Sequence, residues 1–278
     1  MEIIRTSREM QEKALALRAS GKKIVLVPTM GFLHAGHASL IDIARREGGV
    51  VVVSIFVNPT QFGPNEDLEK YPRDFKHDCE LCTAHGADIV FAPEPAEVYS
   101  ADHSTWVVEE KLSRGLCGRT RPIHFRGVAT VVTKLFNLTQ ANVAVFGRKD
   151  AQQALIIKRM VRDLNMPVRI VVAPLVRDAD NVALSSRNRY LSEAERNAAR
   201  AISRALLAAE PALRPETAAK TVTEVRGAIE AAGGRIDYVE ALSADTLEPV
   251  TADTRSILLA VAAWFGPTRL IDNVLVEF

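Results

Sequence analysis

The sequence predicts an α/β fold, a doubly wound parallel sheet followed by a smaller C-terminal α+β domain, and two observations carry this. In the first two-thirds, short continuous apolar runs alternate with longer helical stretches. After Arg177 that alternation stops, and a polar, turn-rich segment leads into helices and then three closing strand patterns. Runs apolar at every position suit strands covered on both faces, as in a parallel sheet, and strand–helix alternation builds such a sheet. The first part is therefore expected to be Rossmann-like, with its ligands beyond the carboxyl ends of the strands.

The elements follow in order. The N-terminus around Glu2 and Arg8–Glu9 reads as polar and helix-like. Ile24–Val27, Val50–Val57, Ile89–Phe91, Val143–Phe146 and Val168–Val172 read as strands. The helical candidates are Ala38–Glu47, Leu68–His85, Ala129–Leu138 and Ala151–Leu164. Residues 178–191 form the polar junction. Ser192 then offers an N-cap with Glu193 and Glu195 in the first turn, opening a long Ala-rich helix. That helix runs to about Glu210, Pro211 and Pro215 interrupt, and a second runs to Gly233–Gly234. Strands over 236–242, 255–263 and 269–276 close the chain. The expected domains are thus 1–177, the Rossmann-like part, and 178–278, a smaller α+β domain.

Composition narrows the function. Lys plus Arg (35) and Asp plus Glu (34) nearly cancel, so no global field draws the chain to nucleic acid or anionic lipid. The apolar run Ile257–Phe265 covers nine residues, about half of what spans a bilayer. The N-terminus shows no apolar signal core, and Cys79, Cys82 and Cys117 are an odd, sparse set unlike a disulfide framework. A cytoplasmic protein is expected.

The chemistry starts at Pro28-Thr29-Met30-Gly31-Phe32-Leu33-His34-Ala35-Gly36-His37, directly after the first buried strand. A strand, a glycine turn and a helix start place backbone N–H groups and a helix dipole where phosphate binds. His34 and His37, three apart, project from one face. Two imidazoles there can stabilise the charge that builds as pyrophosphate departs. Gly36 allows close approach of a nucleotide. Asn58 and Gln61 put two amides just past the second strand. Phe146-Gly147-Arg148-Lys149-Asp150-Ala151-Gln152-Gln153 supplies a turn, a lysine for phosphate and an Asp to accept from ribose hydroxyls. Leu184-Ser185-Ser186-Arg187-Asn188 sits in the junction, where a mobile phosphate-binding element would lie.

His-x-Gly-His resembles the signature of the nucleotidyltransferase superfamily, whose shared step is attack on the α-phosphate of ATP. In order, PTMGxLHxGH, VSIFVNPxQF, YPR (Tyr71–Arg73), RPxHFxGV (Arg121–Val128), FGxKDxQQ, ALSSRN and RLIDN (Arg269–Asn273) resemble the pantothenate synthetase family over nearly the whole chain. The resemblance implies ATP-dependent ligation of pantoate and β-alanine through a pantoyl-adenylate, by a homodimer. It implies that His34 and His37 bind the triphosphate, with His37 as proton donor and Lys149 as a further catalytic residue. Met30, Gly31, Phe32, Leu33, Ala35 and Gly36 would border ATP; Gly147, Arg148, Lys149 and Asp150 would hold ribose and phosphate. Val176 would meet the adenine edge, Leu184, Ser185, Ser186 and Arg187 would close on the triphosphate, and Gln61 and Gln153 would hold pantoate. Thr60, Arg148 and Cys117 depart from residues usual in the family, Met at the first and Glu at or near the other two.

Two readings of Arg148 stay open, contact with phosphate or exposure to solvent. Relatives offer paired acids for magnesium where this chain has His77 and Asp78, so no protein metal site is expected and Mg2+ is assigned to the ATP phosphates. His77-x-Cys79-x-x-Cys82-x-x-His85 looks zinc-like, yet one continuous helix cannot aim all four ligands at one point. The competing functions are a nucleotidyltransferase that stops at an adenylated product and a non-catalytic ATP-binding regulator. A neutral amide pair suits a small hydroxy acid better than a second nucleotide.

Overall fold

The structure is a computed structural model that describes residues 1–64 and 66–278. Among the described residues, β1 (Glu2–Ile4), β2 (Ile24–Thr29), β3 (Val50–Ile55), β4 (Ile89–Phe91), β5 (Val143–Gly147) and β6 (Arg169–Ala173) form one sheet, ordered β1–β4–β3–β2–β5–β6. Every pairing is parallel. Alternate residues of β2 serve opposite faces: Ile24 and Leu26 join one apolar core, Val25 and Val27 the other, which is why Ile24–Val27 carries no polar position.

The helices are α1 (Ser7–Ala19), α2 (Ala35–Glu47), α3 (Phe75–Ala84), the single turns α4 (Pro95–Val98) and α5 (Cys117–Thr120), then α6 (His124–Thr139) and α7 (Ala151–Asp163). The chain moves from β2 out to β3 and β4 and returns to β5 on the other side of β2. The order therefore reverses between β2 and β5, where ligands bind in open α/β sheets.

Residues Met1–Ser113, Arg121–Arg148 and Gln153–Pro174 make one compact unit; Arg114–Thr120, Lys149–Gln152 and Leu175–Phe278 make the other. In the second unit α8 (Glu193–Ala209) and α9 (Ala218–Ala231) pack on the antiparallel sheet β7 (Arg235–Ser243), β8 (Ser256–Phe265) and β9 (Thr268–Glu277). Ile202, Leu206, Val225 and Ile229 meet Leu259, Val261 and Phe265 in its core. Ser192 caps α8 in a reciprocal capping box with Glu195. No helix among the described residues is long and apolar enough to cross a membrane.

Some expected boundaries are corrected. Glu2–Ile4 is a strand pairing with β4, and the helix starts only at Ser7, capped by Thr6. The helix expected over Leu68–His85 begins at Phe75, after Pro72, whose ring and missing N–H resist an interior helical position. Asp74 caps it by accepting from the His77 N–H at 3.1 Å. Helix α6 starts at His124 rather than Ala129, and β3 stops at Ile55, short of the Asn58–Pro59 turn.

Candidate active site

The His-x-Gly-His segment is held from both sides. Upstream, Thr29 at the end of β2 donates its hydroxyl to Ser54 O (2.7 Å) and accepts from the Gly31 N–H (3.2 Å). Gly31 has φ +80°, and a Cβ there would lie 3.0 Å from both Asp78 Oδ2 and Ile55 Cγ2, so a side chain would be strained in conformation and would crowd both neighbours. Asp78, 1% exposed on α3, accepts the Phe32 N–H at 2.9 Å and the Leu33 N–H at 2.6 Å, one on each oxygen. Burial raises the Asp78 pKa, and those two N–H groups oppose the shift.

The two histidines then cap α2 with each other. His34 Nδ1 accepts the Gly36 N–H (3.1 Å), and His37 Nδ1 accepts the His34 N–H (3.3 Å). Their ring centroids are 4.1 Å apart. A backbone N–H only donates, so both Nδ1 atoms are acceptors and each neutral ring carries its proton on Nε2. The pair thus has one Nε2–H on each ring as its donor. In this turn the N–H groups of Gly31, Phe32, Leu33, His34, Gly36 and His37 have acceptors within the protein. The helix dipole at this point favours an anion.

Met30, half-buried, leads into this turn, and its Sδ receives Gln61 Nε2 at 3.1 Å. Ala35 is exposed at the start of α2. Gln61, 7% exposed, ends a turn of 3₁₀ helix past β3 (Pro59–Gln61). Its carbonyl accepts from Arg121 Nη2 (3.3 Å) and lies 3.1 Å from His124 Nδ1; since a carbonyl only accepts, that Nδ1 carries a proton. Arg121 grips Glu66 through Nε–Oε1 (2.9 Å) and Nη2–Oε2 (2.5 Å). Burial pushes the Glu66 carboxyl up, and the guanidinium reverses this and leaves it below the ordinary value. Gly147 closes β5, a half-buried Arg148 follows, and Gln153 is half-buried on α7.

In the second unit Lys149 Nζ lies 3.3 Å from Asp150 Oδ2, and Asn273 Nδ2 donates to Lys149 O at 3.0 Å. Asp272 beside it binds Arg177 through both carboxylate oxygens (2.5 and 3.0 Å) and accepts the Asn273 N–H (2.7 Å). Burial raises the Asp272 pKa against the pull of Arg177. The closing RLIDN motif thus ties Arg177 to the backbone of Lys149. Val176 O accepts the Leu184 N–H (3.1 Å), bringing Val176 and Leu184 together across a small hairpin. Ser185 caps the next turn by accepting the Arg187 N–H at 3.3 Å, and Ser186 is buried within that turn. Gln152, buried, accepts the Cys117 N–H (3.0 Å) and donates to Gly115 O (2.8 Å).

The zinc-like stretch runs along α3 to its C-cap His85, with Cys82 buried and its thiol pushed up to about 12 by burial, and His85 Nδ1 2.7 Å from Asp42 Oδ1. Among the described residues no group of three or more His, Cys, Asp or Glu is placed to hold a metal ion.

Asp78, Asn58 and Asn273 are the residues whose structural part exceeds what sequence reasoning gives them. The sequence offers Asp78 only as a displaced metal-site acid, and Asn273 only as the end of a motif.

A doubly wound sheet with paired histidines at the helix start after a buried strand, at the point where strand order reverses, is the architecture of an α/β protein that binds its ligand at the carboxyl edge of the sheet. The family model for pantoate–beta-alanine ligase matches residues 2–275. Pantothenate synthetases of Moorella thermoacetica and Thermotoga petrophila are 50% identical over 282 residues and 51% identical over 278, each alignment covering at least 99% of both chains. The crystal structure of pantothenate synthetase from Thermus thermophilus superimposes with a TM-score of 0.91 at 42% identity, covering 99% of each chain. A pantoate–beta-alanine ligase from Francisella tularensis, complexed with beta-gamma ATP and beta-alanine, gives 0.82 at 33% identity over 99% of this chain and 97% of its own. The chain belongs to the pantoate–β-alanine ligase family, and it is a carbon–nitrogen ligase that uses ATP to form pantothenate.

Proposed function

We propose that the ligation runs through a pantoyl-adenylate. A pantoate carboxylate oxygen attacks the α-phosphorus of ATP, the bond to the β,γ-pyrophosphate breaks, and pyrophosphate leaves. The neutral amine of β-alanine then attacks the acyl carbon, the acyl–phosphate bond breaks, AMP leaves, and the new amide nitrogen gives up one proton to solvent. Chemistry of this kind depends on positioning and on stabilising the charge of the departing phosphates.

The roles follow the motifs. His34 and His37 donate hydrogen bonds from Nε2 to the triphosphate, and His37, the donor next to the leaving group, stabilises it as charge builds. Gly147, Lys149 and Asp150 take ribose and phosphate, Lys149 also serving the transferred group; Val176 meets the adenine edge, and Leu184, Ser185, Ser186 and Arg187 contact the triphosphate. Gln61 and Gln153 hold pantoate. Magnesium arrives as MgATP: Asp78, the acid nearest the loop, already gives both carboxylate oxygens to backbone N–H groups. Residues 1–177 act as the ATP and pantoate domain and 178–278 as a lid. The working state is a cytoplasmic homodimer.

The observation that carries this reading is Gln61 beside Met30, which sets a buried amide against the loop that bears the histidines. Gln61→Ala and Gln153→Ala are each expected to raise the pantoate KM roughly ten- to a hundredfold and leave that for ATP unchanged, the cost of a lost buried hydrogen-bond partner. Steady-state titration of each substrate checks this. The adenylate itself is tested by isotope exchange between pyrophosphate and ATP without β-alanine: exchange that requires pantoate is expected, and its absence opposes the mechanism.

A further inference from the structure

The amide of Gln61 is not oriented by chance, and its orientation can be read from its neighbours. Asn58, 1% exposed, is the hub. Its Nδ2 lies 3.2 Å from Gly127 O and 3.0 Å from Gln61 Oε1. Its Oδ1 receives Tyr99 OH at 2.9 Å and Thr60 Oγ1 at 2.9 Å, and the two hydroxyls are 3.2 Å apart.

Only one assignment satisfies this set. A backbone carbonyl cannot donate, so the Asn58 group facing Gly127 O must be its NH2. The second N–H then points at Gln61, whose facing atom must accept and is therefore Oε1. Gln61 must in turn present its own NH2 on the other side, where Met30 Sδ lies 3.1 Å away. Gly127 is essential to the arrangement: a Cβ there would sit 2.6 Å from Thr60 O and 2.7 Å from Gln61 N. Only glycine lets α6 bring its carbonyl this close. Burial raises the Tyr99 pKa above its ordinary value, so the hydroxyl keeps its proton and donates.

We propose that Thr60 and Tyr99 are positioning residues for substrate: their hydroxyls fix the Asn58 amide, which turns Gln61 so that it meets pantoate as a hydrogen-bond donor. The partner on the substrate is then an acceptor oxygen, such as the carboxylate, rather than a hydroxyl proton. A side chain without a hydroxyl at position 60 would leave Asn58 Oδ1 to Tyr99 alone. The inference rests on the reading that Gln61 binds pantoate.

The test is a cycle in two backgrounds. Thr60→Val and Tyr99→Phe leave the packing and remove the hydroxyls, and neither residue is placed against substrate. Either alone leaves Oδ1 one partner, and the pantoate KM should rise by about threefold or less. Together they strand a buried acceptor, and the pantoate KM should rise about tenfold, with the ATP KM unchanged as the control for folding. The same pair is then made in Gln61→Ala. There it should have no further effect, because the amide it orients is gone. A tenfold rise that persists in the Gln61→Ala background, or no rise in the parent, overturns the proposal. If Gln61→Ala alone leaves the pantoate KM unchanged, the assignment of Gln61 to pantoate fails instead, and the two failures are told apart by that single variant.

Discussion

His37→Ala is expected to slow adenylate formation by roughly two to four orders of magnitude, the usual cost of one oriented charge-stabilising or proton-donating group. The ring does two jobs. Its Nδ1 accepts the His34 N–H, and in the proposed mechanism its Nε2–H is the donor to the phosphates. Losing the first costs about 1 kcal/mol of stability, as for other caps. Losing the second slows the chemistry. Single-turnover pyrophosphate release set beside thermal unfolding separates them: a large rate loss with a small shift in Tm is expected. Release within threefold of the parent would remove His37 from the mechanism.

The second large effect is expected at Asp78, which touches no substrate in this account. Its carboxylate accepts two N–H groups of the loop, on Phe32 and Leu33, and hydrogen bonds to a charged group are worth about 1.5–3 kcal/mol each. Asp78→Ala should therefore destabilise the protein by about 3 kcal/mol. The loop carries Gly31 at φ +80° and Phe32 at φ 51°, left-handed conformations that need an external anchor. Freed, it should lose the register of His34 and His37, and the ATP KM should rise at least tenfold, about 1.4 kcal/mol. Denaturant unfolding and ATP titration check the two halves. Asp78→Asn, which keeps one acceptor but turns a donor toward an N–H, should fall between Ala and the parent. A variant with parental stability and ATP affinity would show that the loop holds its own shape.

Much of the fold is legible because its signals are local. The central strands of the parallel sheet carry continuous apolar runs, Ile24–Val27, Val50–Val53 and Val143–Phe146, and α8 opens with a capping box that can be read letter by letter. The errors arise where a partner decides. Glu2–Ile4 is too short to show a period and is a strand because Ile89–Phe91 lies beside it. The stretch before Phe75 has helical spacing, but Pro72 blocks a helix there.

The same division runs through the site. His34, Gly36 and His37 are adjacent and read as a unit, and the lysine and amides follow strands in recognisable motifs. What those residues rest on is hidden, because the contacts are distant in sequence. Asp78 lies 46 residues from Phe32, Tyr99 41 from Asn58, and Asn273 124 from Lys149. Nor can the sequence tell that the backbone N–H groups of the turn have internal acceptors. That depends on the distant Asp78 and on which atom of each imidazole faces the chain, facts of geometry rather than spacing.

The central claim is that pantoate is activated as an adenylate before the amine reacts. The most direct measurement is quantitation of AMP, ADP and pantothenate in parallel reactions containing ATP with pantoate alone, with β-alanine alone, and with both. Sustained AMP formation is expected only with both, one AMP for each pantothenate, with pantoate alone giving at most about one enzyme equivalent of pyrophosphate. ADP as the product, or AMP formed with β-alanine in the absence of pantoate, would contradict it.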